Sequence, residues 1–126
     1  MKERRLMEKL LIFLKCIADE NRIKILKLLL DSQYCVCQLQ ELLDKSQSSV
    51  SQHLSYFKEL DLLKEEKSGK WIYYAIDRSV YDSYLADLIS LKADTLAELN
   101  LKGLQKKIDN LDTAAEIKSN DKGGCC

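Results

Sequence analysis

Residues 46–60 read S-Q-S-S-V-S-Q-H-L-S-Y-F-K-E-L, and this stretch decides the fold. Val50, Leu54, Phe57 and Leu60 recur at helical spacing and form an apolar stripe to be buried. Ser46 is suited to cap the helix N-terminus. The outward side is unusual: Ser48, Gln52, Ser55 and Glu59 project together with Ser49, Ser51 and Tyr56 beside them, and Gln47, His53 and Lys58 complete the candidate DNA-contacting set, where a solvated helix is usually all Glu and Lys. Such a face suits the major groove of DNA, because Gln pairs with adenine edges and hydroxyls reach bases or phosphates. An ordinary polar helix would need no such set, and the flanking elements decide between the two.

Immediately upstream, Y-C-V-C-Q-L-Q-E-L-L-D-K (34–45) predicts a short helix beginning near Cys35, with Leu39, Leu42 and Leu43 inward. About three residues then separate two short helices, the second polar outside, which is a helix-turn-helix pattern. Downstream, Leu62 and Leu63 are expected to finish the helix and open a strand, Ser68-Gly69 to turn, and W-I-Y-Y-A-I (71–76) to return as a strand. A hairpin placed there is a wing, with Lys67 and Lys70 at its tip to meet phosphates or the minor groove.

Further out, residues 3–17 predict a helix with Leu6, Leu10, Phe13, Leu14 and Ile17 on one side. Asp19 is expected to cap a second helix whose Ile23, Leu26, Leu29 and Leu30 face the core. From Val80 a long helix carries Tyr81, Tyr84, Leu85, Leu88 and Leu91, with Leu96 and Leu99 less regularly placed. A winged core cannot easily bury this stripe and the first helix too, so both are expected to form a dimer interface. Leu101, Leu104, Ile108 and Leu111 suggest a further short helix. The architecture expected is mainly α with a small β-hairpin, a winged helix-turn-helix dimerising through its N- and C-terminal helices. Residues 1–99 would form the DNA-binding and dimerisation domain, 100–116 a helical extension, and 117–126 a flexible tail ending in Cys125 and Cys126.

The 126 residues suffice for one compact domain, and they contain no Pro to interrupt helices. No apolar run has the length of a membrane span, and the N-terminus lacks a signal-type segment, so a cytoplasmic location is expected. Net charge is zero, yet residues 1–30 hold eight Lys or Arg against four acids. A neutral chain can still bind DNA through a local basic surface. Without a Gly-rich phosphate loop or a Ser-His-Asp set, an enzyme is not expected.

Five cysteines, Cys16, Cys35, Cys37, Cys125 and Cys126, point to metal binding or redox chemistry in a reducing compartment. Cys16 reads first as a small buried apolar residue. Cys35-Val36-Cys37 is the sharpest signal. On a regular helix residues i and i+2 point about 200° apart. In an extended conformation at a helix start they can instead grip one ion.

This order of elements resembles the ArsR-type family of metal-responsive repressors. The resemblance rests on A-D-E-N-R-I-K-I-L-K-L-L at 18–29, C-V-C-Q-L at 35–39, S-S-V-S-Q-H-L at 48–54 and K-S-G-K-W-I-Y-Y-A-I at 67–76, and spans roughly residues 8–95. The family's Ala-Gly-Leu-Val after the recognition helix is here Leu60-Asp61-Leu62-Leu63. The resemblance implies a homodimer that holds operator DNA when unliganded and releases it on binding a toxic metal or metalloid. The arsenite-sensing branch carries two neighbouring cysteines as here and a third thiolate three residues later, where this chain has Gln40. A third sulfur would then come from Cys125 or Cys126, within reach of an extended tail, or from Cys16, as members using the first helix imply. The family's zinc site on the C-terminal helices uses Asp and His; the one histidine, His53, lies elsewhere. The expected inducer is arsenite or antimonite, alternatively cadmium or lead, because thiolates prefer soft ions. Two rivals stay open: a thiol-based redox sensor on the same fold, and a metal-buffering or partner-binding protein that binds no operator.

Overall fold

A computed structural model describes residues 2–95 and 101–111. The elements run α1 (Lys2–Ile17), α2 (Glu20–Asp31), α3 (Val36–Leu43), α4 (Gln47–Glu59), β1 (Leu63–Ser68), β2 (Trp71–Ile76), α5 (Arg78–Ala93) and α6 (Lys102–Asp109). The helix-turn-helix is α3–α4 and the wing is β1–β2, as the sequence predicts.

Polar side chains set the helix starts. The Asp19 carboxylate accepts from Arg22 N at 3.1 Å, and the Ser46 hydroxyl accepts from Ser49 N at 3.2 Å. Asp77 receives Ser79 N at 3.1 Å, and Val80 N at 3.4 Å, to open α5. These bonds satisfy backbone donors that the first helical turn leaves unpaired.

The core gathers one face of α1, α2, α3 and α5 around α4. Val50, Leu54, Phe57 and Leu60 are all buried, as their spacing predicts, and pack with Phe13, Ile25, Leu29, Leu39 and Leu62. Phe13 stacks on Tyr84 (centroids 4.7 Å apart, planes 3° apart), which fastens α1 to α5. The buried Tyr84 hydroxyl donates to Leu60 O at 3.1 Å and so ties α5 to the end of α4.

Two inward positions differ from expectation. Ile23 is 45% exposed, and the fully buried Ile25 takes its place. At about 100° per residue, Arg22, Ile25, Leu26 and Leu29 cluster on one side of α2, and Ile23 lies about 110° from its centre. Likewise Leu42 is 55% exposed, because the buried face of α3 runs through Val36, Leu39 and Leu43. Leu96 and Leu99 lie outside the described residues, as does the tail. Leu104, Ile108 and Leu111 on and after α6 are exposed.

α4 stops at Glu59. Leu62 therefore belongs to neither helix nor strand; it is a fully buried link. The reversal is made by Asp61 in the left-handed region (φ 57°), with Leu62 N returning to Phe57 O at 3.0 Å. Asp is among the few residues that accept this conformation. The wing strands pair antiparallel from Leu63–Ile76 to Ser68–Trp71, so the loop is Gly69-Lys70, one residue later than expected. Gly69 has φ 63° in the first loop position, where a two-residue hairpin turn of this type calls for glycine. No helix among the described residues is long and apolar enough to cross a membrane.

Candidate nucleic-acid interface and thiol cleft

The outward face of α4 is polar and open. Gln47, Ser48, Ser51, Gln52, Ser55, Tyr56 and Lys58 are exposed, whereas Ser49 and His53 are half-buried. Some of these groups already have partners. The Ser55 hydroxyl donates to Gln52 O at 2.6 Å and so offers a ligand only its lone pairs. Ser46 and Ser48 share a hydrogen bond of 3.2 Å. Lys58 Nζ lies 5.3 Å from the centre of the Tyr74 ring and leans toward the wing. At the wing tip Lys67 and Lys70 are exposed, the latter with Nζ 5.3 Å over the Trp71 ring.

Arg22 is the residue that sequence reasoning missed. From α2 its Nε donates to Cys16 O at 2.6 Å, its Nη1 lies 3.3 Å from His53 Nδ1, and its guanidinium stands 4.2 Å from the Tyr56 ring centre. It thereby joins the end of α1 to α4 and orients the two larger side chains of the α4 face. No local signal could reveal this, since His53 and Tyr56 follow Arg22 by more than 30 residues.

The two cysteines of C-V-C adopt different conformations. Cys35 is the N-cap of α3, with extended φ −89° and ψ 170°, and the Gln38 side chain accepts from its N–H at 3.0 Å. Cys37 is the second residue of the helix. Cys35 is buried (7% exposed) and Cys37 is exposed; both are free thiols. The extended backbone at Cys35 has a tertiary cause. Tyr34 and Tyr74 exchange backbone hydrogen bonds of 3.0 and 2.8 Å, which adds one residue to the wing as an isolated antiparallel bridge.

That bridge brings the wing onto the thiols. Cys35 and Cys37 line one cleft of about 250 Å³ with Val36 and Gln40 of α3, Gln47 at the start of α4, and Lys70, Trp71, Ile72 and Tyr74 of the wing. Cys16 is not among its walls. It is packed in the core at 1% exposure, where burial pushes its thiol up to about 11, with Arg22 pulling the other way. A thiol so reluctant to ionise is a poor metal ligand. Among the described residues no three Cys, His, Asp or Glu side chains are gathered closely enough to hold a metal ion. The cleft thus supplies two sulfurs. Cys125 and Cys126 lie outside the described residues.

The sequence of residues 19–65 matches the model of a family described as bacterial regulatory protein, arsR family. The chain is 43% identical over 63 residues to the arsenical resistance operon repressor of Escherichia coli K12, a match covering 49% of this chain and 54% of that one. It is 33% identical over 86 residues to the cadmium resistance transcriptional regulatory protein CadC of Listeria innocua, covering 68% and 72%. The chain spans about half the length of the Escherichia coli repressor and of the arsenic resistance regulator ArsR1 of Pseudomonas putida. In fold it is similar to the homodimeric winged helix-turn-helix DNA-binding domain of a possible ArsR-family regulator from Mycobacterium bovis. There the TM-score is 0.59 at 22% identity, over 73% of this chain and 84% of that one.

Proposed function

The chain belongs to the arsR family of bacterial regulatory proteins, and from that premise we propose that it is a homodimeric repressor released from operator DNA by a thiolate-bound metalloid. Arsenite or antimonite is the inducer, held by Cys35 and Cys37 with Cys125 or Cys126 supplying a further sulfur. The relatives of this chain are transcriptional regulators rather than enzymes. The single observation that carries the reading is the placement of the cleft: both thiols share it with Gln47, the first residue of α4, and with the wing tip.

The DNA-contacting set is Gln47, Ser48, Ser49, Ser51, Gln52, His53, Ser55, Tyr56 and Lys58 on α4, with Lys67 and Lys70 on the wing. Lys and hydroxyl groups serve the phosphates, and the two glutamines are suited to adenine edges. Dimerisation uses the outer surfaces of α1 and α5, where Leu11, Leu88, Ile89 and Leu91 remain exposed after the two helices have packed on each other. A dimer reads two half-sites only while its two α4 helices keep their spacing.

Release then follows from geometry. Cys35 is extended and Cys37 helical, so drawing both sulfurs onto one atom works against the α3 N-terminus and the wing walls that close the cleft. A hundredfold change in operator occupancy needs a difference of only about 2.7 kcal/mol between the two states. A second reading, cadmium as inducer, is favoured by the similarity to CadC over 72% of that protein; lead, another soft ion, is the alternative within that reading.

The test is anisotropy titration of the reduced protein on its upstream DNA with arsenite, antimonite, cadmium, lead and zinc added in turn. Release by arsenite or antimonite alone is expected. Replacing Cys35 and Cys37 by Ser should leave DNA binding intact and abolish release; release that persists would place the inducer elsewhere.

A further inference from the structure

Arg22 is a basic residue beside the α4 face, yet its guanidinium is spent inside the protein. It is half-buried. Its Nε donates to Cys16 O at 2.6 Å, its Nη1 donates to His53 Nδ1 at 3.3 Å, and the group stands 4.2 Å from the Tyr56 ring centre. A planar fork of donors fixed at two ends has one orientation, so the ring it faces is held as well. Tyr56 is 39% exposed and lies one helical turn after Gln52, on the same side of α4.

His53 is the weak link of this chain of contacts. Its Nδ1 accepts from the guanidinium only while that nitrogen is free of a proton. A second proton on the ring would set two donors and two positive charges against each other. The other charged groups facing His53 are Asp19, the N-cap of α2, and Lys45 of the turn before α4. Asp19 is already occupied in accepting from Arg22 N. From α1 the nearby titratable group is the Cys16 thiol, which burial keeps neutral.

We propose that Arg22 and His53 are positioning residues for operator binding: the neutral imidazole holds the guanidinium, the guanidinium holds the Tyr56 ring, and Tyr56 is the member of the trio that meets the DNA. The proposal rests on reading α4 as the operator-contacting helix, and within that set it makes His53 a support rather than a contact. The half-burial of His53 and the exposure of Tyr56 suit those roles.

The two roles of a histidine differ in sign. An imidazole touching a phosphate would bind DNA more tightly on gaining a proton, because it adds a positive charge at the backbone. An imidazole that must accept from Arg22 does the opposite. The bound chain then takes up the proton less readily than the free one, so affinity falls as pH drops below about 6.5.

The experiment is anisotropy titration of the reduced, full chain on its upstream DNA at pH 7.5 and 5.0, at one ionic strength, with circular dichroism confirming the fold at both. Operator affinity is expected to weaken about tenfold at pH 5.0, the loss of one hydrogen bond to a charged partner. His53→Gln keeps a neutral acceptor that does not titrate, and its change should be less than about threefold. Tighter binding of the unaltered chain at pH 5.0, or an equal loss in His53→Gln, overturns the proposal. At pH 7.5, Arg22→Lys should weaken binding about tenfold in the unaltered chain but less than about twofold in the Tyr56→Ala background, since the two act in series. Fully additive losses overturn the proposal too, and the pH comparison decides the matter if Arg22→Lys does not fold. Absence of operator binding by the unaltered chain at pH 7.5 overturns the reading of α4 itself, and the proposal with it.

Discussion

Arg22 on α2 holds His53 on α4, with Nη1 3.3 Å from Nδ1 across 31 residues of sequence. A guanidinium can only donate, so His53 accepts at Nδ1 and keeps its proton on Nε2. The same arginine stands 4.2 Å from the Tyr56 ring centre. The presentation of the α4 face therefore depends on a neutral histidine.

This predicts a pH effect with a definite sign. His53 is held below its ordinary 6.5, first by partial burial, with Asp19 opposing and Arg22 and Lys45 adding to the depression. The unfolded chain then takes up the proton before the folded one does, so the contribution of His53 is fully present above about pH 6.5 and declines as pH falls below it. His53→Gln should show a smaller drop in Tm between pH 7.5 and 5.5 than the unaltered chain. An identical drop would assign the acid sensitivity to other groups.

Asp61 occupies the left-handed region at φ 57°. A β-branched residue there is strained, so Asp61→Val should destabilise by about 1–2 kcal/mol. Asp61→Gly should be neutral or stabilising by up to about 1 kcal/mol, relief of the positive φ being partly offset by entropy in the unfolded chain. Urea unfolding of the two variants decides the point; a valine variant as stable as the original would contradict the backbone assignment.

The two leucines of α3 should behave oppositely. Leu39 is fully buried and Leu42 is 55% exposed. Leu39→Ala is expected to cost about 2–5 kcal/mol through lost contacts and a residual cavity, and Leu42→Ala less than about 0.5 kcal/mol. Similar losses at both positions would mean that α3 is rotated from the orientation described.

Ile89 on α5 is 67% exposed, beside Leu88 and Leu91. In a symmetric dimer each substitution acts twice. With roughly 1.5 kcal/mol or more for each large apolar side chain taken out of the interface, Ile89→Glu should weaken association by about a hundredfold or more. Sedimentation velocity over a dilution series would show it as a shift to monomer. An unchanged boundary would place the interface elsewhere.

Much of this was written locally along the chain. The α4 stripe is legible because burial of one helix face imposes a spacing on four residues, and the caps at Asp19 and Ser46 because a helix end needs a short acceptor. The wing is legible from its aromatic strand and its glycine. Ile23 and Leu42 were misread because a stripe at three- and four-residue spacing has two edges, and only the neighbouring helices decide which edge turns inward.

The sequence by itself determined the order of elements and the family likeness, and it singled out Cys35-Val36-Cys37 as the pair of thiols proposed here as soft donors. What only the tertiary structure decided is where those donors stand. The Tyr34–Tyr74 bridge pulls the start of α3 onto the wing, buries Cys35, and turns both thiols into one cleft walled by Trp71 and Gln47. Arg22 reaches His53 and Tyr56 by the same kind of contact. Pairings between residues some 30 to 40 positions apart leave no periodicity in a sequence. They exist only once burial of the common core has brought α2, α3, α4 and the wing together.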